Sequence, residues 1–300
     1  MTPKPDVILG RGVADVLPPW SLAVTAMLLI QLCNASSVVL FDEVGTAGTA
    51  WLRLCMGAVI FVVIARPPLR RIRREDIAPL LGLGVASGLM TTAFLAAIDR
   101  IPLGTAVAIE FLGPLVVAAI RSKNRQMLAW PALALVGVVL LTEPWGATFD
   151  PLGIAFAAAA GLGWGTYILL TQRIGDRFTG ITGLAITIPI AAVVTTIVGA
   201  PQAIGGIDLR VILIALGLAL LAPVLPFGLE MLSLRRMTPT AFGTLMALEP
   251  AFGVIIGLVF LSQVPALWQV VGIVLVVLAG SGAQRGGRRP TVVQSSEAVD

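Results

Sequence analysis

Long apolar runs alternate along this chain with short gaps that carry nearly all of its charge. A helix crossing the hydrocarbon layer of a bilayer needs roughly 20 apolar residues. Ten stretches meet that length: about 20–41, 46–65, 77–98, 101–120, 127–145, 152–171, 181–199, 210–232, 238–261 and 266–282. The pattern predicts an all-α integral membrane protein with ten transmembrane helices. The first apolar run is 22 residues long, against about 7–15 for the core of a secretory leader, so it is read as a span and not as a cleaved segment. The polar tail 283–300 is expected to be disordered.

The gaps set the orientation. With a cytoplasmic N-terminus, 17 of the 20 Lys and Arg residues fall on the inner side. Only Arg100 and Arg210 lie in outer loops, and Arg53 lies inside a span. Cytoplasmic loops of membrane proteins carry such an excess of positive charge, so both termini are expected in the cytoplasm and the protein in the cell (inner) membrane. The basic run RPPLRRIRRED (66–76) reads as an orienting loop near anionic headgroups.

Composition agrees and removes several chemistries. Hydrophobic residues make up 57% of the 300 residues and charged ones 12%, with a mean hydropathy of +0.98; a soluble domain needs more charge to cover its surface. There is no histidine, so imidazole metal sites and His-based catalysis are excluded. Cys33 and Cys55 sit in apolar runs and form neither a disulfide framework nor a metal cluster. The sequence therefore predicts no cofactor, no metal and no enzyme. The pI near 9.8 arises from the loop charges and does not point to nucleic acid.

The fourth and ninth spans resemble each other. RIPLGTAVAIEFLGP (100–114) aligns without a gap on RMTPTAFGTLMALEP (236–250), Arg100 on Arg236 and Pro114 on Pro250. The acids are offset: Glu110 falls opposite Met246 and Glu249 opposite Gly113. Three residues is nearly one helical turn, so both can face one side. Two halves follow, 1–145 (with a polar segment 1–19) and 146–282. Five spans per half place the second upside down relative to the first. Inverted repeats are a transporter signature, with the substrate site near the midplane between halves.

Polar residues inside apolar spans mark the candidate site. Glu249 and Glu110 sit near mid-depth, where an ionised acid costs on the order of 3 kcal/mol. Desolvation disfavours the charged form, so a carboxyl at this depth can take a proton from one side and release it to the other, or pair with a substrate ammonium; alternatively it is a neutral, hydrogen-bonded structural acid. Pro114 and Pro250 break the helix ladder and free backbone acceptors, either lining a cavity or only kinking the helix. Arg53 either snorkels outward or faces the cavity to meet a carboxylate. Gln31, Asn34, Trp164 and Tyr167 hold comparable places in the first spans of the two halves and are candidates to line a cavity or to glue helices. Thr244, beside Glu249, and Glu230, closer to the inner end after Pro223 and Pro226, complete the set.

With these residues in place, the chain resembles the EamA type of the drug/metabolite transporter superfamily. IPLGTAVAIEFLGPL (101–115), GWGTYILLTQR (163–173), LPFGLEM (225–231) and FGTLMALEPA (242–251) look like its inner-membrane threonine/homoserine exporter subgroup. The resemblance implies proton-driven export of small amino acids or related metabolites through a central cavity, with spans five and ten peripheral and available for a homodimer. One departure stands out: many members carry a Gly–Glu pair after the ninth span, where this chain has Ser262 and Gln263. Efflux of cationic or aromatic drugs and carriage of another metabolite are the alternatives within transport. A membrane-embedded enzyme would need a convergent catalytic set that the sequence lacks.

Overall fold

The computed structural model describes residues 17–67, 72–121, 125–145, 150–174, 181–234, 236–237, 242 and 245–286. All regular structure among them is helical. In chain order the α-helices are α1 (Pro19–Ser37), α2 (Phe41–Ala65), α3 (Arg74–Ile98), α4 (Leu103–Glu110), α5 (Leu112–Arg121), α6 (Ala129–Thr142), α7 (Pro151–Ile174), α8 (Ile181–Ala203), α9 (Leu209–Ala219), α10 (Leu225–Leu234), α11 (Glu249–Leu261) and α12 (Leu267–Gly286). Among the described residues six helical stretches are long and apolar enough to cross a membrane, and three shorter apolar helices join them. Pro19–Ala65 is helical almost throughout, but the chain breaks between the expected spans 20–41 and 46–65, first at a 3₁₀ turn, Val38–Leu40, and then at Gly45, whose non-helical φ of 71° suits a residue without a side chain. Thr244, most of the segment leading into α11, and the tail beyond Gly286 lie outside the described residues.

Local chemistry explains several boundaries. Pro19 opens α1, where its missing N–H costs nothing. The backbone N–H of Arg73 donates to Asp76 Oδ2 at 2.9 Å ahead of α3, and the N–H of Val211 donates to Asp208 Oδ1 at 2.7 Å at the start of α9. Between α9 and α10 the helix is interrupted: Leu220–Val224 is a π-type turn in which Ala222 is extended (φ −158°, ψ 125°).

The distribution of polarity is the reverse of a soluble domain's. Val193, Ile197, Leu162, Val264 and Leu267 are all more than 70% exposed, whereas Gln31, Asn34, Arg53, Ser87, Thr91 and Glu249 are buried. A continuous apolar exterior suits a hydrocarbon solvent. Many buried hydroxyls are satisfied within their own helix, as with Thr49 on Gly45 O and Thr195 on Ala191 O; the acids and the arginine are not of this kind.

The helices associate through short side chains. Along the α2–α8 seam Gly48 lies against Ala203 and Gly199 against Ala47 and Trp51, with Ala58, Ala191 and Ala192 in one cluster; the small residues let backbones approach closely. One end of the bundle is fastened by polar contacts between distant segments. Arg210 Nη1 meets Glu43 Oε1 at 2.6 Å and Arg100 Nε meets Asp150 Oδ2 at 3.0 Å. Gln202 Oε1 accepts the N–H of Ala47, and Gln263 Oε1 accepts the N–H of Leu103, each at 3.0 Å. Gln263 thus caps α4 as a neutral acceptor, at the position where the family resemblance led one to look for an acid.

Candidate functional site

Two adjoining hollows lie inside the bundle and share Ile30, Arg53, Met90, Thr91 and Glu230 in their walls. One, about 310 Å³, brings together Gln31, Asn34, Glu110, Trp164 and Glu249. The other, about 280 Å³, is lined mainly by apolar side chains, among them Leu54, Leu184, Ile188 and Phe227, with Tyr167 and Glu230. The first is termed the polar lobe and the second the apolar lobe.

Broken helices deliver the acids to the polar lobe. Glu110 is the last residue of α4; Phe111 interrupts the helix, and Pro114 follows in the first turn of α5. Proline at that position cannot bond to the Glu110 carbonyl one turn back. That carbonyl lies against Gly161 of α7, and a methyl group built on Gly113 would collide with the carbonyl oxygen of Gly161. Two backbones therefore touch directly behind the acid. On the other side Glu249 is the first residue of α11, 4% exposed, with Pro250 filling the next helical position. Glu249 is within Coulombic reach of Glu110 and Glu230, and Glu110 of Arg53. The three-residue offset thus leaves both acids on the same cavity.

Arg53 points inward. It is 9% exposed, and Nη1 donates to Asn34 Oδ1 at 3.3 Å and lies 3.5 Å from Cys33 Sγ. Asn34 Nδ2 in turn donates to Gln31 Oε1 at 3.4 Å. Gln31 and Asn34, three residues apart on α1, form one polar strip that orients the guanidinium. The outward, snorkelling alternative is not what the structure contains.

The remaining sequence candidates separate. Trp164 lines the polar lobe and stands edge-on to Phe111, with ring centroids 6.1 Å apart. Tyr167 lines the apolar lobe, and Glu230 borders both lobes. Thr244 lies outside the described residues. Pro114 and Pro250 shape the walls from behind and line neither lobe. Sequence reasoning missed the contribution of α3: Ser87, Met90, Thr91 and Phe94 all face the cavity. The signal was present in the four- and three-residue spacing of Ser87, Thr91 and Phe94, but without a charge it read as ordinary helix packing. Among the described residues no group of three or more His, Cys, Asp or Glu side chains is placed to hold a metal.

With cation and anion receptors around one hollow, the site has the groups to bind a small zwitterion and to exchange protons at its acids. Comparison with known proteins points the same way. The profile of the EamA-like transporter family matches residues 151–281. The chain is 35% identical over 285 residues to the threonine/homoserine exporter RhtA of Escherichia coli K12 and to that of Salmonella typhimurium LT2, spanning 93% of this chain and 96% of each relative. A protein of known crystal structure superimposes with a TM-score of 0.58 at 18% identity, over 90% of this chain and 98% of the other; at that identity it speaks to fold alone.

Proposed function

The chain belongs to the EamA-like transporter family, and from that footing we propose that it exports small amino acids of the threonine and homoserine type in exchange for protons. It is a transporter and not an enzyme. The observation that carries the substrate reading is the polar lobe, where Arg53 faces Glu110 and Glu249 across a space of amino-acid size. Arg53 receives the substrate carboxylate, and the acids receive either its ammonium group or protons. Competition between those two occupants for the same carboxylates couples their movement in opposite directions.

The mechanism we infer is alternating access between two inverted halves, 1–145 and 146–282, built from ten spans with both termini in the cytoplasm of an inner-membrane protein. The helix pairings support it. Exchanging the halves turns the α3–α7 contact into the α10–α1 contact, and α3–α8 into α9–α2, while α2–α8, α4–α11 and α6–α12 map onto themselves. Breaks at equivalent helices on either side of the cavity suit a site at the repeat interface. A homodimer through the peripheral α6 and α12 belongs to the same reading.

Everted membrane vesicles test it. Radiolabelled threonine should accumulate when the vesicle interior is made acidic, and accumulation should stop when a protonophore is added. Accumulation indifferent to the gradient would overturn the coupling. A second reading, efflux of aromatic cations, draws on Phe94, Trp164, Tyr167 and Phe227 at the cavity wall; strong inhibition by such cations with no amino-acid uptake would favour it.

A further inference from the structure

We propose that the apolar lobe is a side-chain subsite, and that the protein also carries straight and branched aliphatic amino acids, preferring them as the side chain lengthens to about four carbons. The inference rests on the amino-acid reading above and goes beyond it by assigning the second hollow. Arg53 is the pivot: it lines both lobes, and Asn34 and Cys33 hold its guanidinium in place. A carboxylate bound there is fixed at the junction. The ammonium group then turns toward Glu110 and Glu249, two of the three acids around the hollows, which line the polar lobe alone; the third, Glu230, borders both. The Cα substituent is left facing the other lobe.

That lobe is built for hydrocarbon. Its wall is formed largely by Leu54, Leu184, Ile188 and Phe227 from α2, α8 and α10, and about 280 Å³ is open within it. Threonine's two small substituents leave most of such a space unfilled. A longer aliphatic chain displaces water from it, and each buried methylene adds about 0.8 kcal/mol of transfer free energy, equivalent to about fourfold in affinity. Polar groups do border the lobe, Tyr167 and Glu230 as well as Ser87 and Thr91, but most of its lining is apolar, and a hydrophobic pocket discriminates weakly against neighbours of similar size.

The test uses the full-length protein in proteoliposomes, with entry of radiolabelled threonine measured against unlabelled alanine, 2-aminobutyrate, norvaline and norleucine. Inhibition should strengthen by about fourfold per methylene along the series. Leu184→Phe, which fills the lobe, should lower the norleucine-to-alanine potency ratio at least tenfold. Phe227→Ala, which enlarges it, should extend the gain to still longer chains, so the assignment can be tested even if one variant does not fold. A flat series in the wild type overturns the subsite while leaving threonine transport standing. A steep series whose ratio neither variant changes overturns it as well, since the selectivity then resides elsewhere. If no amino acid enters, the transport reading falls and this inference with it.

Discussion

Glu110 closes a helix and Glu249 opens one. The two acids arise from matching stretches, each close before a proline, and they border the same lobe. Their backbones nonetheless present them to opposite ends of the helix dipole. The first turn of a helix favours negative charge and the last turn favours positive charge. Glu249 thus stands at the helix end that favours a carboxylate, whereas Glu110 stands at the end that disfavours one, with Arg53 as its nearby cation. Exposure differs as well: Glu249 is buried and Glu110 only half-buried. Identical side chains in related segments are therefore not interchangeable parts, and the three-residue offset between them is what creates the inequality.

Substituting the acids should break this comparison most visibly. Glu249→Gln should lower proton-driven threonine uptake on the order of a hundredfold or more, and Glu110→Gln only on the order of tenfold, with the protein still inserted. Equal losses would mean that the helix-end environment is irrelevant. Next in size is the backbone contact behind Glu110. Gly113→Ala should cost about 1–3 kcal/mol through overpacking against Gly161, read as a lower thermal midpoint in detergent. Gly253→Ala in the second half, whose added methyl would meet Val107 Cγ2 at 3.1 Å and the Gly104 Cα at 3.2 Å, is far less crowded and should cost about 1 kcal/mol. Arg53→Lys keeps the charge but loses the planar fork that Asn34 holds; KM for threonine should rise about tenfold, with a smaller change in maximal rate.

The smallest effect is expected at the rim. The backbone N–H of Gly153 and the guanidinium of Arg100 hold the Asp150 carboxyl below its usual range. A carboxyl so lowered stabilises the fold above the ordinary aspartate value of about 3.9, and the gain disappears as pH falls through the lower folded value. The thermal midpoints of the wild type and Asp150→Asn should therefore differ slightly near neutrality and converge in strong acid. The pair is exposed, so the gap should also narrow with added salt.

The helical class and most of the polar lobe were legible from residue pattern alone. Charges in an apolar span are rare enough that Glu110, Glu249 and Arg53 announced themselves, and the matched prolines placed the breaks. The direction in which Arg53 points was not legible, because it depends on Asn34 of another helix. Glu230 stood among the cavity candidates, but its place at the border of both lobes was not legible: the extended residue Ala222 interrupts the helix upstream, and no helical wheel drawn through 210–232 can anticipate that. Beyond Arg53, Tyr167 and Glu230 the lining of the apolar lobe escaped, since Leu184, Ile188 and Phe227 resemble any lipid-facing or core residue until the chain is folded.

The seam between α2 and α8 carries one more lesson. Gly48 and Gly199 bring the backbones close, yet the Trp51 side chain lies against Gly199 and its indole N–H donates to Thr196 Oγ1 at 2.8 Å, and Leu54, Phe61 and Ile188 cluster further along. A joint keyed in this way resists sliding and favours the two helices turning as one body. A carrier that alternates its openings can use such a pair as a strut, and a smaller residue at position 51 would leave it slack.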